Sequence, residues 1–202
     1  MLTDRVTRRA LEGIKALELP TGYRIAAAGE VESRAESFGG IGTAVVIATF
    51  MILAILVLES GSFRSTLIVA SQIPLGIMGG ILALWVTGNS LSFIAMIGFV
   101  ALLGIEIKTS ILLVDFTNRL RREGQPLREA ILEAGEVRFL PILLTMATAV
   151  GCLLPLAFGG EALFAPLAWV LIGGLITSTF LGRVITPVVY ALLPPPLHAT
   201  GP

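Results

Sequence analysis

Charge is scarce in this chain. Only 14% of its 202 residues are Asp, Glu, Lys or Arg, and 55% are hydrophobic, whereas a soluble domain carries roughly 25% charged residues. With a mean hydropathy of +0.90, that scarcity excludes an ordinary soluble domain and places the chain in a membrane. Cysteine is nearly absent: Cys152 is the only one, so no disulfide framework can form within the chain. Its position in an apolar run reads as a small core residue. His198 is the single histidine and falls in a Pro-rich tail, where it reads as a solvated end residue. No zinc spacing, phosphate-cradling Gly loop or nucleophile motif occurs, so the sequence offers no metal centre, no cofactor site and no enzyme chemistry. A leader is lacking as well. Met1 is followed by Thr3, Asp4, Arg5, Arg8 and Arg9, and the first apolar run begins only near Gly40.

What the chain does have is long apolar runs. Five are readable, at about 40–58, 66–86, 91–114, 139–158 and 164–193, each near the 20 residues that a helix needs to cross a bilayer. The last is long, which implies tilt, a kink at Pro187, or projection beyond the membrane. Pro74 and Pro155 also fall inside spans, a position that neighbouring helices make tolerable. Gly76, Gly79 and Gly80, then Gly173 and Gly174, are small-residue patches that fit close packing in a helix bundle. The expected fold is an all-α membrane bundle of five transmembrane helices over 39–193, with a tail at 194–202.

Residues 1–38 differ. Val6, Ala10, Leu11, Ile14 and Leu17 recur at helical spacing, Pro20 and Gly22 stop that helix, and 23–28 reads as a short strand. One helix and one strand cannot bury a core, so this is a small α+β remnant of a larger external domain.

The arginines orient the bundle. The stretch between the third and fourth spans contains Arg119, Arg121, Arg122, Arg128 and Arg138, while 87–90 and 159–163 contain no Lys or Arg. The positive-inside rule puts the long loop and the C-terminus in the cytoplasm and the two short loops outside. Within the long loop, Leu127, Ala130, Ile131 and Ala134 suggest an amphipathic helix at the interface over 126–137, its arginines meeting anionic lipid. Alternation would place 1–38 outside despite six basic residues and nothing to translocate them. The sequence therefore reads as part of a longer protein whose upstream span is not included.

The third span carries the chemistry. Lys108 lies deep in it, beyond simple snorkelling, where an ionisable group costs on the order of 3 kcal/mol or more and marks an ion or proton pathway. Asp115 follows by seven residues on nearly the same face, about 10 Å further along the axis, and reads as a solvated end residue. Glu106 is nearly as deep as Lys108 but points to the opposite side, so the two are not an ion pair. Each needs a partner on another helix or a wet cavity. Thr145, one turn inside Pro141, can hydrogen-bond across the bundle or back to its own helix.

The run Gly104-Ile105-Glu106-Ile107-Lys108-Thr109-Ser110-Ile111-Leu112-Leu113-Val114-Asp115-Phe116 resembles the tenth span of the resistance–nodulation–division (RND) efflux permeases. Arg138-Phe139-Leu140-Pro141-Ile142-Leu143-Leu144-Thr145 resembles the start of their eleventh. Glu59-Ser60, Pro74-Leu75-Gly76 and Leu19-Pro20-Thr21-Gly22-Tyr23 with Gly29-Glu30 support the match, the last as the end of a periplasmic porter region. The resemblance implies the C-terminal part of a proton-driven multidrug or lipophile exporter of the bacterial inner membrane. A metal-ion exporter, or a truncated membrane protein without transport of its own, is the alternative. It also implies a proton relay through Lys108 and Thr145, with Glu106 and Asp115 as further candidates, working with aspartates on a span that this sequence lacks. Many members have arginine immediately before the proline of the eleventh span; here it is Leu140. Membrane lipids, a homotrimer, a periplasmic adaptor and an outer-membrane channel are the implied partners, and nucleic acid is not among them.

Overall fold

A computed structural model describes residues 30–60, 62–159 and 163–196. The described residues are helical, in the order α1 (Glu30–Ser60), α2 (Phe63–Ala70), α3 (Ile73–Thr87), α4 (Phe93–Arg122), α5 (Leu127–Phe158) and α6 (Ala165–Leu192). The helix and strand expected over 1–28, and His198, lie outside the described residues.

Among the described residues, four stretches are long and apolar enough to cross a membrane: Phe63–Thr87, Phe93–Arg122, Leu127–Phe158 and Ala165–Leu192. The apolar part of α1, Gly42–Leu58, is shorter. The chain is a multi-pass membrane bundle.

Three sequence expectations need correction. The run at 66–86 is two helices, α2 and α3, with a break at Ser71 and Gln72. Pro74 has no N–H for the Ala70 carbonyl and its ring crowds that carbonyl, so a new helix starts around it. The third span does not stop at Val114, and α4 continues to Arg122. Its start is fixed by Ser92, whose hydroxyl accepts from the Ala95 N–H at 3.2 Å. Nor is the amphipathic segment at 126–137 a separate interfacial helix. It is the first part of the 32-residue α5, which passes through Pro141 without interruption. Its apolar side is the expected one: Ala130 and Ala134 are fully buried, beside Leu120 and against Phe116 of α4.

Helix α6 packs on α3, α4 and α5. The α3–α6 contact is close because glycines face each other. A Cβ placed on Gly79 would come within 2.5 Å of the Gly173 carbonyl, which only two small residues permit. One core cluster joins Leu56, Ile68, Val69, Ile107, Val114 and Tyr190; another joins Leu84, Leu102, Val170 and Leu175. Helix α5 shows the opposite pattern. Leu140, Leu144 and Leu154 stay exposed, an apolar face left for lipid or further protein. Cys152 lies on that helix and is exposed, so it is not the core residue expected.

Candidate functional site

Helices α4, α5 and α6, with Gln72 from the α2–α3 break, enclose a cavity of about 560 Å³. Its wall holds Glu106 and Lys108 from α4, Arg138 and Thr145 from α5, and Ser178 and Arg183 from α6. Lys108, Thr145 and Glu106, three of the residues singled out from sequence, thus meet at one site. Asp115 does not: it is exposed on α4 and lies outside the cavity wall.

The burial of Lys108 and Glu106 reverses the expectation. Lys108 is exposed at the cavity, with no hydrogen-bond or ion-pair partner among the described residues. Glu106 is the buried one, with 6% of its surface accessible. Two residues along a helix turn the side chain through about 200°, so the bundle can bury only one of the pair. It buries the carboxyl, because Gly76 leaves room beside it and Ser178 supplies a donor. Elsewhere among the described residues the one ion pair is Arg119 with Glu123, an exposed i, i+4 contact.

Thr145 donates to the Ile142 carbonyl of its own helix at 2.8 Å, the local back-bond open to any helical threonine. Arg183 stacks over Phe139 at 3.8 Å from the ring centroid, and Arg138 over Phe116 at 4.6 Å. Both guanidinium groups are therefore held on aromatic faces. The Arg138 Nε is buried without a hydrogen-bond partner among the described residues. With Lys108 and Glu106, they put three cations and one carboxylate on the wall of the cavity.

The sequence reading did not single out Gln72, Ser178, Thr186 or Arg183 as site residues. Gln72 donates to Thr186 and Ser178 donates to Glu106. The available signal was spacing: Ser178 and Thr186 are polar residues eight apart in an apolar span, which places them on one helix face.

The profile of the AcrB/AcrD/AcrF family matches residues 3–194. The chain belongs to this family of RND efflux permeases. Among its relatives, the swarming motility protein SwrC of Bacillus subtilis is 35% identical over 184 residues, covering 89% of this chain and 18% of SwrC. The cobalt-zinc-cadmium resistance protein CzcA of Cupriavidus metallidurans is 31% identical over 179 residues, 87% of this chain and 17% of CzcA. A crystal structure of a heavy metal efflux pump superimposes with a TM-score of 0.73 at 26% identity, covering 92% of this chain and 19% of that one. The chain thus spans less than a fifth of the length of these relatives. The candidate site therefore lies in a chain of an efflux-permease family.

Proposed function

We propose that this chain forms the last five spans of a proton-driven RND exporter of drugs or other lipophiles in the bacterial inner membrane. In this reading α1 is the first of the five spans, residues 1–38 are the end of a periplasmic porter region, and the arginine-rich 119–138 stretch and the C-terminus are cytoplasmic. The observation that carries it is the shared cavity. A lysine without a partner and a threonine from the next helix line one space, and both fall on motifs resembling the family's relay spans. Acidic side chains from a span of the other half would complete the relay. Their charge would hold Lys108, and their protonation would release it and let the helices shift. Glu106 reaches the same cavity and is a candidate partner. Asp115 stands apart and has the weakest case of the four. The parent permease would work as a homotrimer with a periplasmic adaptor and an outer-membrane channel.

A metal-ion substrate is the second reading. Two similar proteins favour it: CzcA is named for resistance to cobalt, zinc and cadmium, and the superimposed crystal structure is that of a heavy metal efflux pump. Substrate-contacting residues would decide between the two.

The test is Lys108→Ala in the permease that carries this chain, with export measured against an imposed pH gradient at equal protein level. The expected result is loss of gradient-driven export with insertion intact, and a reduced rate for Thr145→Ala. Normal export by Lys108→Ala would reject the relay. Resistance profiles towards lipophilic drugs and towards Zn²⁺, Co²⁺ and Cd²⁺ separate the two substrate classes.

A further inference from the structure

A polar stripe runs down one face of α6. Ser178, Gly182, Thr186 and Tyr190 recur every four residues, and all are buried. Polar groups inside a membrane protein need partners, and each of the three polar side chains has one on another element. Ser178 donates to Glu106 of α4, Gln72 donates to Thr186, and Tyr190 donates to Asn118 of α4. Arg121, near the end of α4, donates to the Tyr190 hydroxyl at 3.2 Å and to the Pro195 carbonyl at 2.9 Å. Small residues make the fit. A Cβ on Gly76 would stand 3.3 Å from the Glu106 Cγ, and one on Gly182 would crowd the Gln72 amide. One turn after Glu106, the Ser110 hydroxyl is buried with no partner among the described residues.

Two cavities meet on this stripe at Thr186. The large one takes in Glu106, Ser110 and Ser178. A second, of about 10 Å³, is lined by Thr117, Thr186 and Tyr190 among others. That volume suits a single water, to which Thr186 can donate, while Thr117 and Tyr190, whose own hydrogens go to the Leu113 carbonyl and to Asn118, can accept from it. Pro187 borders both cavities. Having no N–H, it cannot donate to the Arg183 carbonyl one turn earlier.

We propose that this stripe is a proton path leading from Glu106 past Thr186 and one bound water to Tyr190 and the Arg121 end of the bundle. It rests on the proton-driven reading above, but it uses residues other than Lys108 and Thr145. The step is a relay of O–H bonds. The Glu106 O–H bond breaks, each hydroxyl or water along the line takes one proton and passes on another, and one proton leaves to bulk water. Glu106 is left as a carboxylate, and a proton entering from bulk water at the Tyr190 end reprotonates it by the same relay run in reverse. The charged groups that line the same cavity are Lys108 on its own helix, Arg138 from α5 and Arg183 from α6, while α3 contributes none. Ser178 stays hydrogen-bonded to the carboxylate left behind.

The experiment uses the whole 202-residue chain reconstituted in lipid vesicles. Infrared spectra are recorded at a pH low enough to protonate Glu106, and the carboxyl C=O band is followed after transfer to D₂O. Subtraction of the Glu106→Gln spectrum isolates the Glu106 band. Its deuteration is expected to slow by about tenfold in Thr186→Val and in Tyr190→Phe, a barrier increment on the scale of one lost hydrogen bond. Thr186→Ser, which keeps the hydroxyl, should restore the rate, so a merely misfolded Thr186→Val would be recognised. Lys108→Met and Thr145→Val should leave the rate unchanged even where they abolish export, so failure of this path and failure of the exporter reading are distinguishable. Equal exchange in wild type, Thr186→Val and Tyr190→Phe would show that protons reach Glu106 through the open mouth of the large cavity, and the path would be rejected. It would be rejected equally if Thr145→Val slowed exchange as much as Thr186→Val does.

Discussion

Glu106 and Lys108 show what a sequence says about single residues in a membrane. Their depth in the third span was legible, because depth depends only on distance from the ends of an apolar run. Which of them the bundle buries was not, because that depends on whether neighbouring helices offer space and a donor. Gly76 offers the space and Ser178 the donor, and neither is near Glu106 in the chain. Cys152 illustrates the same limit, since an apolar run does not reveal which face meets the protein. The glycines were easier to read. Their clustering pointed to close helix contact, and Gly79 against Gly173 is such a contact. Gly79→Ala should therefore destabilise the bundle by about 1–3 kcal/mol through overpacking. Gly151→Ala, where an added Cβ meets nothing within 4 Å, should be neutral or stabilising by up to about 1 kcal/mol. Unfolding in mixed micelles with increasing denaturing detergent would measure both. Equal effects at the two positions would mean that α3 and α6 are not in contact.

At the scale of elements, the order of the apolar runs survived folding better than their limits did, and against five expected spans the described residues hold four stretches long and apolar enough to cross. Hydropathy marks where a helix is greasy, but helix hydrogen bonds do not end where the grease does, so α4 and α5 extend well beyond the membrane-length windows. Ser71 and Gln72 break what looked like one span, and Pro74 was the visible cause. Orientation depends on the same basic ends. The last turn of α4 contains Arg119, Arg121 and Arg122, whereas the turn after α3 carries no charge, only Gly88, Asn89 and Ser90. These should face opposite sides of the membrane. Single cysteines at Ser90 and Glu123, in a Cys152→Ser background to remove the exposed native thiol, would check this with an impermeant maleimide. Ser90→Cys is expected to label from outside and Glu123→Cys only after the inner face is opened. Labelling of both from one side would overturn the assigned topology.

For the molecule as a whole, the decisive facts are an open cavity and a length below a fifth of that of its relatives. Among the described residues Lys108 lines the cavity without a partner, and the acidic residues that the proposed relay requires are not supplied by α4, α5 or α6 at the depth of Lys108, apart from Glu106. The outer face of α5 leaves Leu140, Leu144 and Leu154 exposed, an apolar face for lipid or for further protein. A relay whose cation cannot find its acids has only one charge state to adopt, so it cannot couple a proton to a helix movement. The 202-residue polypeptide produced by itself should therefore insert in the membrane and confer no resistance on a pump-deleted, drug- and metal-sensitive host. Co-production with the remaining portion of a full-length relative as a separate chain should restore some export if the two halves dock through α5. The readout is growth against graded drug and Zn²⁺ concentrations, with and without a protonophore, at matched membrane levels of the chain. Protonophore-sensitive resistance from this polypeptide alone would mean that Glu106 and Lys108 suffice for coupling, and the division of the relay between two halves would have to be given up.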